Sequence, residues 1–271
     1  MEHKLLREVQ LVQLEIAKEV KRICEKYEIN YFLDAGTLLG AVRHQGFIPW
    51  DDDLDIGMLR EEYEKFVQVA PAELDDHYVL QNFDTDENYI RPFAKIRKKD
   101  TLYVEHPNIH SEMKEQGIYI DLFPYDTAPA DSKEWEALQK RMVNITRFLS
   151  LKCHVQPWLG CKGKNKVIRF TKYQPYRVIT LFMSKDKIRK KFKSLMDISK
   201  AFDGELYSRS FGQHKYPAKL LESYGTVTFE GEQFSAPSDY DAVLKIHFGN
   251  YMELPPEDKR GDRHHIIKVK L

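Results

Sequence analysis

The feature that most constrains the fold is an alternation of acidic and apolar residues that begins at Asp53. Asp53 and Asp55 alternate with Leu54 and Ile56. Successive side chains of a β-strand point to opposite faces, so this pattern predicts two carboxylates on one face and two apolar side chains in a core. Adjacent carboxylates repel unless they are protonated or bridged by a cation, usually a hard divalent ion with oxygen ligands. We therefore expect a buried strand that carries a metal site.

Two further segments extend this predicted site. Gly36 ends the strand-like segment YFLDAG, and Gly36 and Thr37 form a strand-to-helix turn, where free backbone N–H groups would form a phosphate cradle. The strand-like segment GIYIDLFPYD carries Asp121 between apolar residues, which makes it the candidate third carboxylate. A glycine turn followed by metal-binding carboxylates is what metal-dependent attack on a nucleotide phosphate requires. Asp51 and Asp52 fit either this site or a solvated loop.

The overall pattern of elements indicates a mixed α/β or α+β domain. The predicted order is helix, strand, helix, strand, helix and then several strands. The chain has 271 residues, 42% of them apolar, which can fill the core of one large domain or two small ones. No stretch approaches the roughly 18–20 apolar residues of a membrane span, and the charged N-terminal segment is unlike a signal peptide. The three cysteines, an odd number, favour a reducing cytoplasm over a disulfide framework.

One segment departs from the zero net charge of the chain. Residues 160–193 contain nine lysines and three arginines but a single acid, Asp186. We interpret residues 152–216 as a basic helical insertion in a single catalytic domain whose core comprises residues 1–151 and 217–271. The basic segment is either a solvated helix pair, a surface for an anionic leaflet at roughly 1 kcal/mol per basic residue, or a nucleic-acid surface. Nucleic-acid binding would leave the acidic residues unexplained, so no such partner is expected.

The segment LDAGTLLGAVRHQGFIPWDDDLDIGM, residues 33–58, resembles the signature of the LicD family. PFAKIRKKDT, IYIDLFPYD and FGNYMELPPEDKR are similar to later blocks of that family, so the resemblance spans most of the chain. It implies an α+β fold with a nucleotidyltransferase-like mixed sheet flanked by helices. It also implies metal ligation by Asp53 and Asp55 with help from Asp51, a third acid at Asp121, and Mg²⁺ or Mn²⁺ as the cofactor.

The resemblance also implies an activity. LicD family members are implicated in placing phosphocholine on cell-surface glycans with CDP-choline as donor. The expected reaction is therefore transfer to a sugar hydroxyl of a teichoic acid or lipopolysaccharide, with release of CMP. Fukutin-related proteins share the core and use CDP-linked polyols, which leaves ribitol, glycerol and ethanolamine head groups open. A nucleotidyltransferase that releases pyrophosphate and a module that binds without turnover are further alternatives. A lipid-linked acceptor would favour contact of the basic segment with the inner face of the membrane.

Cationic residues near the family-like segments are the first candidates for substrate contacts. Arg43 and His44 lie at the end of the helix that follows the Gly-Thr turn, and we assign them to the donor phosphates. Lys95 and Arg97 alternate around an isoleucine on a predicted strand. They are either surface charges or groups that stabilise charge on the transferred phosphate and the leaving CMP.

Aromatic and histidine residues complete the predicted set. A quaternary ammonium group is recognised by aromatic faces, and Trp50 is the first candidate because it directly precedes the acids. Tyr251, within the last family-like block, is a second candidate. Arg263, His264 and His265 follow that block, and a substrate-binding role is expected for His264 in particular.

Overall fold

The computed structural model describes residues 2–200, 202, 204–209, 211–257, 260–261 and 264–271. Within these residues the chain forms seven α-helices and eleven β-strands. In order they are α1 (His3–Lys26), β1 (Phe32–Leu33), α2 (Ala35–His44), β2 (Asp55–Leu59), α3 (Arg60–Glu73), β3 (Tyr78–Gln81), β4 (Ala94–Lys98), β5 (Leu102–Glu105), β6 (Tyr119–Thr127), α4 (Ser132–Lys152), α5 (Gly163–Leu181), α6 (Lys185–Ser199), β7 (Leu206–Arg209), β8 (Tyr216–Pro217), β9 (Tyr224–Phe229), β10 (Glu232–Pro237), α7 (Tyr240–Phe248) and β11 (Ile266–Lys270).

Strand β6 is the centre of a seven-stranded mixed sheet with the order β1-β2-β6-β4-β3. It pairs in parallel with β2, and antiparallel with β4 along its first half and with β7 near its end. Strand β8 extends the sheet beyond β7. The register places Asp55 and Lys95, on the two neighbouring strands, opposite Asp121. The predicted α+β fold with a mixed sheet flanked by helices is confirmed.

Helix α1 covers one face of this sheet. It also holds the loop before β2, which carries Asp51, Asp52 and Asp53 and is called the acidic loop. The apolar stripe of α1 is buried, as the three-to-four-residue spacing predicts. Two buried glutamines interrupt that stripe. Gln10 Nε2 donates to the Asp51 carbonyl at 2.9 Å, and Gln13 Nε2 donates to the Asp52 carbonyl at 3.0 Å. Tyr103 donates its hydroxyl to the same Asp52 carbonyl at 2.8 Å. These bonds satisfy backbone groups that no neighbouring strand pairs, so they fix the loop that leads into β2.

The predicted basic insertion contains helices α5 and α6 and strand β7. Helices α4 and α6 share a second apolar cluster that includes Trp135, Ile188 and Phe192. Strand β7 pairs with β6 and so belongs to the main sheet. The limits of the insertion and the single catalytic domain stay predictions. No helix in the described residues combines the length and the apolar character that crossing a bilayer requires.

Candidate active site

A cavity of about 210 Å³ lies where β2, β4 and β6 meet the loop before β2. It brings together the three carboxylates that the sequence assigns to catalysis. Around them lie further acids, cations and aromatic rings. The lining residues are Asp53, Asp55, Arg91, Phe93, Lys95, Glu105, Tyr119, Asp121, Phe123, Arg209 and His264. We call this space the acidic cavity.

The three carboxylates of the acidic cavity lie on two strands and on the loop before β2. Asp55 and Asp121 lie on adjacent parallel strands in direct register. Asp53 precedes β2, which begins at Asp55, so the expectation that both acids of the pair lie on a strand is wrong for Asp53. The reason is the hydrogen bonding of the loop, whose carbonyls at Asp51 and Asp52 accept from side chains of α1. Asp53 therefore owes its position to helix α1 as well as to the sheet.

The electrostatics of the acidic pair fit a bound cation. Burial and the charge of Asp53 raise the pKa of Asp55 well above its ordinary value, although Arg209 opposes the shift. Burial also raises the pKa of Asp53, with the charges of Asp121 and Asp52 adding to the effect. The Oδ1 atom of Asp55 is buried and accepts no hydrogen bond from the described residues. Clustered carboxylate oxygens with an unsatisfied acceptor are the donor set that a hard divalent cation takes.

Lys95 and Arg97 are both buried, so the surface-charge alternative is wrong for each. Lys95 Nζ lies 2.5 Å from Asp121 Oδ1 and 3.2 Å from the centroid of the Tyr119 ring. Burial lowers the pKa of Lys95, and the charge of Asp121 opposes this shift. Arg97 does not line the acidic cavity. Its guanidinium donates to Gln81 Oε1 at 2.5 Å and to the carbonyl of residue 117 at 2.7 Å.

His264 contacts two acids of the loop, as its place after the last family-like block suggested. Its Nδ1 lies 2.8 Å from Asp52 Oδ1, and its Nε2 lies 3.6 Å from Asp53 Oδ2. Burial lowers the pKa of His264, but the hydrogen bond to Asp52 and the charges of both acids raise it to about 9. One ligand atom from each of these three residues lies within 4.8 Å of the others, so they could also hold a metal ion. Arg263 lies outside the described residues.

The glycine turn differs from the predicted phosphate cradle. The Thr37 N–H donates to the Asp34 carbonyl at 3.0 Å, and the Thr37 hydroxyl accepts from the Asp55 N–H at 2.8 Å. The expectation of a free N–H at Thr37 is therefore wrong, because Asp34 caps α2. At Gly36 a Cβ atom would lie 2.8 Å from Asp51 Oδ2. Asp51 is buried against this turn, so it supports the loop before β2 from behind.

The remaining predicted residues form a separate cavity of about 410 Å³. Arg43, Trp50 and Tyr251 line it together with the turn after α7. Arg43 donates to the Tyr251 carbonyl at 2.7 Å, and the guanidinium of Arg260 lies 5.2 Å from the Trp50 ring. The His44 ring meets the edge of Trp50 at 6.3 Å. The structure thus gathers these residues, but it does not bring them into the acidic cavity.

Sequence reasoning missed the cation that binds Asp55. Arg209, on β7, lies 2.7 Å from Asp34 Oδ2 and 3.0 Å from Asp55 Oδ2. Tyr125 donates its hydroxyl to Asp34 at 2.8 Å, which holds that carboxylate at the start of α2. No local motif marks Arg209, because only the pairing of β7 with β6 brings it to the site. Glu105 is a second omission, and its Oε2 lies 3.7 Å from Arg91.

The chain is similar in sequence to several known proteins. Residues 28–149 match a family described as LicD/FKTN/FKRP, nucleotidyltransferase domain. The chain is 34% identical over 281 residues to the lipopolysaccharide cholinephosphotransferase LicD of Haemophilus influenzae, with 98% of each chain covered. It is 41% identical over 111 residues to human ribitol 5-phosphate transferase FKRP. This match covers 41% of this chain and 20% of FKRP. It is also 49% identical over 57 residues to an uncharacterised protein of Rickettsia typhi, and this match covers 21% of this chain and 18% of that protein.

Proposed function

Because the chain belongs to the LicD family, we propose that it is a phosphotransferase that moves phosphocholine from CDP-choline to a sugar hydroxyl of a cell-surface glycan. The observation that carries the proposal is the convergence of Asp53, Asp55 and Asp121 on one cavity in a chain that aligns with a cholinephosphotransferase over nearly its whole length. The acceptor is proposed to be a lipopolysaccharide or teichoic-acid type of glycan.

In this proposal the acceptor oxygen attacks the phosphorus that carries choline. A new sugar O–P bond forms, the bond from that phosphorus to the CMP oxygen breaks, and the electron pair leaves with CMP. The hydroxyl proton passes to a carboxylate of the acidic cavity, for which Asp121 is the candidate. Mg²⁺ or Mn²⁺ held by Asp53, Asp55 and Asp121, with Asp51 supporting the loop, would neutralise charge on the diphosphate and orient the acceptor oxygen.

The cations of the acidic cavity have a role of their own in this proposal. Lys95 is fixed between Asp121 and the Tyr119 ring, so its ammonium is available for a phosphate oxygen without reorganisation. Arg209 ties Asp55 to the start of α2 and so keeps the carboxylate in place. His264 lies 2.8 Å from Asp52 Oδ1 and 3.6 Å from Asp53 Oδ2, so it holds the carboxylates of the loop in place.

The test is an assay of CMP release with Mg²⁺ and a soluble sugar acceptor. CDP-choline, CDP-ribitol, CDP-glycerol and CDP-ethanolamine are compared, and transfer of the head group to the sugar is measured in parallel. We expect CMP and phosphocholine-labelled sugar in equal amounts, with CDP-choline as the best donor. Asp53→Asn and Asp121→Asn should lower kcat by at least about 100-fold, since each removes charge stabilisation of the kind that costs several kcal/mol.

Other outcomes separate the alternatives. Release of pyrophosphate from a nucleoside triphosphate would assign the chain to the nucleotidyltransferases. A higher rate with CDP-ribitol would place it with the ribitol phosphate transferases. Binding of a CDP-linked donor without any release of CMP, with acceptors of several classes, would overturn the proposal of an enzyme. Asp76→Asn, which changes an exposed acid remote in sequence from every motif, is the matched control and should leave kcat unchanged.

A further inference from the structure

Helix α5 exposes an apolar face to solvent. Its inner side carries Tyr176, whose hydroxyl meets Arg147 of α4 at 2.8 Å, and Thr180, which is buried. Away from that side its apolar side chains are exposed. They are Val167, Ile168, Phe170, Val178, Ile179 and Leu181, continued by Phe182 at the end of the helix. The exposed fraction is 77% for Leu181 and 87% for Phe182. These seven residues are called the α5 outer face.

The α5 outer face has two parts on one side of the helix, residues 167–170 and residues 178–182, and the exposed Thr171 lies between them. Val167, Val178 and Leu181 are separated by eleven and three residues, so at 3.6 residues per turn they fall on one side. A surface helix normally presents polar residues on the side opposite its core. Scattered apolar residues need no explanation, but Val178, Ile179, Leu181 and Phe182 form a contiguous apolar patch, which marks a surface that contacts something apolar.

Cations border the α5 outer face. Lys164, Lys166, Lys172 and Arg177 are all exposed. The helix contains no acidic residue that could neutralise them. An apolar stripe bordered by lysine and arginine is the pattern of helices that lie in the plane of an anionic membrane surface.

We propose that α5 docks on an anionic lipid surface, with its outer face in the headgroup–acyl boundary and its cations against lipid phosphates. Charge complementarity favours lipid over a second copy of the chain, because two such faces packed together would bring cation against cation. Lipid phosphates supply the opposite charge, and the acyl boundary accepts the apolar side chains. This inference is independent of the proposed function, because binding to lipid requires neither donor nor acceptor.

Helix α6 has a different task, although it belongs to the same basic segment. Arg189 donates to the Glu87 carbonyl at 2.7 Å, and its guanidinium lies 4.0 Å from the Phe83 ring centroid. Lys193 lies 2.7 Å from Asp84 Oδ1. These two cations attach α6 to the loop after β3, so Arg189 and Lys193 are not assigned to the membrane contact.

The test is co-sedimentation with vesicles of phosphatidylcholine that contain about one-third phosphatidylglycerol, compared with phosphatidylcholine alone. Wild-type protein should bind the anionic vesicles and release as ionic strength rises. Leu181→Gln/Phe182→Gln should weaken binding by roughly tenfold or more, since two large apolar groups then stay in water. Lys164→Gln/Lys166→Gln/Lys172→Gln should weaken binding and reduce its dependence on salt.

Matched controls separate specific docking from general effects. Leu11→Gln/Ile246→Gln changes two exposed apolar residues elsewhere and should bind vesicles like the wild type. CMP release with a soluble acceptor should be unchanged in the α5 variants. Vesicle binding that survives Leu181→Gln/Phe182→Gln, or wild-type protein that stays in the supernatant, would overturn the proposal. A concentration-dependent dimer that dissociates in the same variant would instead assign the face to a second copy.

Discussion

At the scale of single residues, the acidic cavity depends on Arg209, which the sequence did not predict. Arg209→Gln leaves the carboxylates of Asp34 and Asp55 close together without their shared cation. The side chain of Arg209 is 21% exposed, so the contact is largely shielded from water. Removing one partner of a buried ion pair typically costs about 3 kcal/mol or more of the free energy of unfolding.

The loss of unfolding free energy in Arg209→Gln should appear as a lower urea midpoint, while the dependence of the unfolding free energy on urea concentration stays unchanged. Arg177→Gln, which changes an exposed arginine on α5, is the control and should shift the unfolding free energy by no more than about 0.5 kcal/mol. If Arg209→Gln and Arg177→Gln change the unfolding free energy equally, Arg209 contributes nothing to holding Asp34 and Asp55 together.

The proposed recognition of a choline head group would also depend on single side chains. Trp50 is the first candidate in the sequence, but it lies in the separate cavity, with the guanidinium of Arg260 5.2 Å from its ring. Phe93 lines the acidic cavity, whose carboxylates attract a quaternary ammonium, and Lys95 Nζ lies 5.7 Å from the centroid of its ring. Phe93→Leu should therefore raise KM for CDP-choline about fivefold more than for CDP-ethanolamine, as a loss of about 1 kcal/mol of cation–π attraction implies.

Trp50→Leu is the matched aromatic control and should change KM for both donors by the same factor. A donor-selective loss in Trp50→Leu and none in Phe93→Leu would return the ammonium site to Trp50. Phe93→Leu keeps an apolar side chain of similar volume, so a general loss of folding is not expected.

At the scale of elements, local periodicity was sufficient to predict a helix or strand wherever one face of that element enters the core. The alternation in GIYIDLFPYD predicted β6, and the spacing of apolar residues predicted α1. Glu230 and Gly231 form the turn of the β9–β10 hairpin, and both have positive φ, 54° and 80°. Asp53 was wrongly placed on β2 because side-chain hydrogen bonds from α1 replace the ladder there, and such long-range partners leave no periodic pattern.

Helix α7 gives a prediction about pH. Burial lowers the pKa of His247, near its end, to about 4, and the Tyr216 hydroxyl lies 2.6 Å from His247 Nδ1. Below the unfolded pKa of about 6.5, the unfolded chain binds a proton that the folded chain does not. The contribution of this histidine to the unfolding free energy is therefore complete above about pH 6.5 and decreases as the pH falls towards 4. Discounted for partial exposure, the loss should be about 1–2 kcal/mol.

The measurement is the unfolding free energy by urea at several values between these two pH limits. His247→Gln keeps an acceptor for Tyr216 but cannot titrate, so its stability should decrease less over this range than that of the wild type. His110→Gln, at an exposed position, should reproduce the wild-type pH dependence. A wild-type profile in His247→Gln would show that the buried imidazole does not carry the effect.

At the scale of the whole molecule, the acidic cavity combines parts of the chain that lie far apart in sequence. Asp55 and Asp121 could be predicted because each lies on an alternating strand with a family-like pattern. His264 could be assigned a role only from its neighbourhood, and its contact with Asp52 depends on the pairing of β11 with β5. Trp50 is adjacent to the acids in sequence but lies in another cavity, so sequence proximity alone does not define a site.

The acidic cavity also predicts how a metal ion affects the stability of the whole molecule. In the absence of a cation, burial raises the pKa of both Asp53 and Asp55, and the charge of Asp53 adds to the shift at Asp55. A cation that binds only the folded state stabilises it by mass action, by about 2.7 kcal/mol at a hundredfold excess over Kd. Added Mg²⁺ or Mn²⁺ should therefore raise the thermal midpoint of the wild type, and a chelator should reverse the rise.

Asp53→Asn identifies the site of this effect. The change removes one ligand charge, so the gain in thermal midpoint on adding metal should largely disappear. The metal-free variant should be at least as stable as the metal-free wild type, because one of two repelling buried charges is lost. Asp76→Asn, at an exposed position, should keep the full response to metal. If metal raises the midpoint of Asp53→Asn as much as that of the wild type, the stabilising ion binds elsewhere on the chain, and the acidic cavity is not the metal site.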